Sequence, residues 1–96
     1  MTTMKEQRIV EILNELSDRV AHASCDLGEL QDDFSFRRRP NMQIRKDANK
    51  LIEQGFVMTK RFFSIAKNFG MDLGNPMYDT FLCRYEKFTS RASFFE

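Results

Sequence analysis

Asp18, His22, Cys25 and Glu29 follow one another at i, i+4, i+7 and i+11 in a chain of 96 residues. On a helix that spacing puts all four side chains on one face, and carboxylate, imidazole and thiol groups so aligned are the raw material of a metal site. Four ligands strung along about 16 Å of straight helix cannot converge on one ion, though adjacent pairs can. Further ligands would have to come from another element, where Cys83 is the lone soft candidate. A Cys25–His22 nucleophilic dyad meets a different obstacle. Asp18, Asp26 and Glu29 surround the thiol with negative charge, where an activated thiolate needs positive charge. The expectation is a solvated acidic face with no metal, no cofactor and no catalytic residue.

The second constellation is cationic. Arg37, Arg38 and Arg39 are consecutive, Phe36 precedes them, and Met42, Arg45 and Lys46 follow closely. Guanidinium groups suit phosphates and carboxylates, and an aromatic ring beside them suits stacking or an apolar pocket. Lys50, Lys60, Arg61 and Lys67 could extend the run into a basic stripe, which is how a nucleic-acid contact would look. The plainer reading is that an acidic helix lies beside a basic one and their charges pair across the contact. Three consecutive arginines in a turn fit that reading less well, because they point in different directions. The sequence pI of 7.8 falls short of the strongly basic footprint of nucleic-acid-binding domains.

The elements that position these groups are legible in the apolar spacing. Ile9, Leu13, Leu16, Val20, Ala23, Leu27, Leu30 and Phe34 alternate steps of four and three, the rhythm of a helix with one continuous seam. The same rhythm returns at Ile44, Ala48, Leu51, Gly55, Met58, Phe62, Ile65 and Phe69, with Ile52, Phe56 and Phe63 beside it. That arc is about 160° wide at 100° per residue, so the second helix should touch two neighbours. A third set follows: Tyr78, Phe81, Tyr85, Phe88, Ala92 and Phe95. Pro40 suits a first helical turn, Gly70 a left-handed cap, and Asn75-Pro76 an N-cap with a proline behind it. Gly28, with Ala21 and Ala23, offers a place for close helix approach.

The expected fold is all-α: a long antiparallel helical hairpin with a third helix packed on it, a three-helix bundle in one domain, 1–96, with helices over 4–34, 41–69 and 76–95. Only four Gly and two Pro leave too few turn residues for a many-stranded β domain. Ten Phe and no Trp mean many rings with no polar handle, which need a core or a partner. The third helix is expected to lie over the first half of helix 1 and the second half of helix 2. That would leave Leu27–Phe34 and Met42–Ile44 as a two-helix stalk, where a second copy of the chain is expected to pack as a homodimer. Phe94 and Phe95 point about 100° apart, so one of them should be exposed or face a partner.

Charge is distributed unevenly. Residues 1–34 carry three basic and eight acidic side chains, and residues 35–69 carry nine basic and two acidic. The amino-terminal segment has charges where a signal peptide needs an apolar run, and no apolar stretch reaches the ~20 residues of a membrane span. Two cysteines make neither a disulfide framework nor a CxxC pair. A cytoplasmic protein with reduced thiols and no membrane contact is expected.

The order of one long and two shorter helices resembles the small all-helical chorismate mutases, which are intertwined dimers that hold a dianionic substrate with arginines, a loop lysine and a late-helix glutamine. Arg8, Arg19 and Arg45 occupy comparable places. The loop, however, has Arg37–Arg39 and no lysine, the second helix reads Arg45-Lys46-Asp47, and the third contains no glutamine. The resemblance covers element order and length only. The sequence therefore points to a non-catalytic protein-binding module, such as a small helical adaptor or inhibitor acting on a larger complex, with nucleic-acid binding as the alternative. Its size and missing active-site constellation are compatible with a phage or mobile-element origin. Phe36, Arg37, Arg38, Arg39, Met42, Arg45 and Lys46 are the expected partner-binding residues.

Overall fold

A computed structural model describes residues 4–95 and shows three helices in the order α1 (Met4–Ser35), α2 (Asn41–Phe69) and α3 (Pro76–Ser93). The seam of α1 is its buried face: Leu13, Leu16, Val20, Ala23, Leu27 and Leu30 are all in the core. From α2 the core receives Ile44, Ala48, Phe62 and Ala66, and from α3 Phe81, Phe88 and Ala92. The result is an all-α three-helix bundle, with α1 packed on both other helices.

The two contacts of α3 differ in kind. Against α2 it meets rings: Phe81 stacks on Phe62 with centroids 3.7 Å apart, and Tyr85 meets Phe63 edge-on at 5.7 Å. Against α1 it meets small residues. Ser17 and Ser24 are buried, in a stripe that also takes in the half-buried Ala21 and Gly28. Arg84 Nη1 donates to Ser17 Oγ at 2.8 Å and to Asp18 Oδ1 at 2.9 Å. Seven residues on, Arg91 Nη1 donates to the Ser24 carbonyl at 2.7 Å and to its Oγ at 3.2 Å. A Cβ at Gly28 would lie 3.3 Å from the Arg91 guanidinium carbon, so the glycine leaves that guanidinium its place.

Gly55 performs a related service on α2. A Cβ there would overlap the Phe88 ring, which sits in the gap and meets Phe56 edge-on. Glycine inside a helix costs about 1 kcal/mol relative to alanine, a cost that full burial of a phenylalanine outweighs. Thr59, one turn further, is buried because its hydroxyl donates to the Gly55 carbonyl at 2.8 Å.

These contacts correct the expected placement of α3. Tyr78 lies against Phe62 and Phe63, about two turns back from the end of α2, so the connection returns along the bundle before α3 begins. The helix therefore meets the second half of α2, as expected, but its contacts with α1 run from Ser17 and Asp18 through Ser24 to Phe34, further along that helix than the expected first half. At its end Phe95 is buried, and Phe94 meets Phe34 edge-on at 5.6 Å. Leu27, Ile44 and Ala48 are wholly buried. The bare two-helix stalk does not form, and its reason for expecting a second copy there goes with it. Of the two terminal rings it is Phe94, 42% exposed, that faces outward.

Candidate partner-binding surface

The surface at the α1–α2 turn starts from an awkward helix end. Asp32 and Asp33 lie in the last turn of α1, which contains no basic residue, whereas the negative end of the helix dipole favours cations. The turn supplies them from outside. Arg38 Nη1 approaches Asp33 Oδ1 at 3.8 Å, Arg39 Nε approaches Asp33 Oδ2 at 3.3 Å, and Arg39 Nη1 reaches Asp47 Oδ2 at 3.3 Å. Arg39 thus bridges the end of α1 to the start of α2. Its Nε, shielded from solvent, makes no hydrogen bond and relies on the charge of Asp33.

The chain reverses by a left-handed step. Arg38 N–H donates to the Asp33 carbonyl at 2.9 Å and Arg37 N–H to the Phe34 carbonyl at 3.3 Å, and Arg37 sits at φ 53°. Glycine is the usual occupant of that position; another L-residue costs roughly 1–2 kcal/mol there. Pro40 takes the cap position of α2 rather than its first turn, and no side chain caps the helix.

The sequence-derived residues separate into two groups. Arg39 is engaged by the chain's own acids, and Arg38 is partly so while also lying 5.2 Å over the Phe36 ring. Among the described residues, the side chains of Arg37 and Lys46 have no partner, and that of Arg45 has only the Phe34 ring at 5.8 Å. Phe36 and Met42 are 69% and 85% exposed. The turn therefore presents two large apolar side chains beside three cations that no acid among the described residues engages. Phe94, flagged in the sequence only as one of an adjacent pair, extends this surface through Phe34.

The other candidates resolve differently. Asp18 of the acidic face is taken by Arg84, and among the described residues no group of three or more metal-ligating side chains is assembled. Cys25 and Cys83 are exposed free thiols. Pairing between α1 acids and α2 lysines is not seen among the described residues; the ion pairs joining α1 to the turn and α2 run through Arg38 and Arg39. The basic stripe of α2 is interrupted by Glu53 and the exposed Val57. No helix of the described chain is long and apolar enough to cross a membrane. Comparison with family models, with curated proteins and with solved structures gives no match to this chain.

Proposed function

We propose that this protein is a non-catalytic binding module, a small helical adaptor or inhibitor that docks its α1–α2 turn into an acidic, partly apolar groove of a larger protein. The observation that carries this reading is the exposure of Phe36 and Met42 among Arg37, Arg45 and Lys46, cations with no acid of their own. Desolvated aromatic and arginine side chains are the usual anchors of protein interfaces. The left-handed Arg37 supports it further: a residue kept where glycine would be more stable is kept for its side chain. The exposed free thiols suit a reducing, cytoplasmic setting.

Nucleic-acid binding is the second reading, favoured by Lys50, Lys60 and Lys67, which form no ion pair among the described residues. Affinity capture from lysate with the natural chain and an Arg37→Glu, Phe36→Ala variant separates the two. The protein-module reading expects one stoichiometric protein, retained by the natural chain and lost by the variant. Capture of nucleic acid instead, with log affinity falling by about 0.9 per contacted phosphate for each unit of log salt, would replace it with the second reading.

A further inference from the structure

On the side of the hairpin away from α3, α1 and α2 enclose a groove that no other described segment enters. It runs from Arg19 and Val57 at one end to Asp33 and Arg39 at the other. Ala23, Leu30, Leu51 and Met58 form its floor, and Val57 stands on its rim 54% exposed. This is the part of the broad apolar arc of α2 that α3 does not reach, since α3 occupies the flank marked by Gly55, Phe56 and Phe63.

The rims are charged in opposite senses at the same level. Asp26 and Glu29 lie on the α1 rim and Lys50 on the α2 rim, beside an Asp47 that Arg39 already holds, and Asp26, Glu29 and Lys50 form no ion pair among the described residues. One turn along, the signs exchange: Arg19, which also pairs with Glu15 of its own helix at 2.8 Å, stands on α1 and Glu53 on α2. A surface on which unlike charges face each other across the groove at the same level is complementary to itself under a two-fold axis along it, because the rotation lays each α1 rim over the α2 rim of the other copy. An unrelated helix would need two differently charged edges matched to this one; a second copy has them already.

We infer that this groove is the homodimer interface of the chain, with a two-fold axis parallel to the helices that sets Lys50 of each copy against Asp26 and Glu29 of the other. The groove spans 14 residue steps of α1, about 21 Å, and two adjacent helices are about 20 Å across. The footprint is then about 400 Å² per copy, half that of a standard interface, so the dimer forms with micromolar or weaker dissociation constants. Both arginine turns emerge at the same end of such a dimer. The inference does not rest on the turn being a binding surface.

Sedimentation or light scattering over a concentration series tests it, with far-UV circular dichroism confirming that each variant folds. The mass of the natural chain should rise toward twice the monomer value with concentration. Val57→Glu, at an exposed position, should abolish that rise. Lys50→Glu should weaken association about tenfold, and adding Asp26→Lys to it should restore it. A monomeric mass at about 1 mM overturns the inference, leaving the groove to some other protein. It is equally overturned if folded Val57→Glu and Lys50→Glu dimerise like the natural chain, or if the charge-swapped double variant stays monomeric.

Discussion

The two connections of the bundle do the same job by opposite means. At Gly70 the chain leaves α2 through a left-handed glycine, φ 79°, with Met71 N–H donating to the Ala66 carbonyl at 2.8 Å. At Arg37 it leaves α1 with the same hydrogen-bond pattern, but an arginine holds the left-handed position. The next helices begin as differently. Asn75 caps α3, its Oδ1 accepting from the N–H groups of Met77 and Tyr78 at 2.9 and 3.4 Å. Pro40 caps α2 with no side-chain hydrogen bond at all. One connection follows local backbone preference at both its ends, and the other departs from it at both. Natural chains tolerate such departures where a side chain is needed for something besides folding. The Gly70–Asn75 loop is a stop and a restart; the Arg37–Pro40 turn has the departures that the display we propose would require.

The comparison can be broken most decisively by binding. Against the partner that the proposed function requires, Phe36→Ala with Arg37→Glu should cost at least about 2 kcal/mol, some 30-fold in affinity. Leu73→Ala, at an equally exposed residue of the other connection, should cost nothing measurable by titration calorimetry. Equal losses at both ends would erase the distinction. Backbone effects come next. A Cβ at Gly70 meets nothing within 4 Å, so Gly70→Ala should destabilise through its left-handed φ alone, by about 1–2 kcal/mol in denaturant unfolding. Asn75→Ala removes both cap hydrogen bonds and should cost about 1 kcal/mol by the same measurement. The smallest effect has the opposite sign. Arg37→Gly should raise stability by about 0.5–1 kcal/mol, the left-handed strain relieved less the entropy that glycine loses. If Arg37→Gly instead destabilises, the arginine belongs to the fold and the turn loses its best claim to display.

Much of this architecture could be read from apolar spacing. The seam of α1 from Leu13 to Leu30 and that of α3 from Phe81 to Phe95 are buried along the rows that the rhythm marks. The placement of α3 could not be read that way. It depends on Gly55 making room for Phe88 and on Ser17 and Ser24 receiving Arg84 and Arg91. Those are glycine, serine and arginine positions, which a count of apolar residues passes over. Thr59 was invisible for the same reason, its polarity being cancelled by a bond to its own helix. At the turn, the sequence shows a cluster of arginines but not which are occupied. That is decided by Asp33 and Asp47, fourteen residues apart in the chain and brought to either side of Arg39 by the reversal itself.

The aromatic face of α3 has an optical consequence. The chain has no tryptophan and two tyrosines, and both tyrosines lie on α3 against the Phe63 ring of α2. Tyrosine emission and the tyrosine bands of the near-ultraviolet dichroism therefore report on one event, the seating of α3 on the hairpin. They do so without a label and almost blind to the arginine turn. Any ligand, dimer contact or substitution that loosens that helix announces itself as a change in the tyrosine signal, while one that acts at the turn alone leaves that signal as it was.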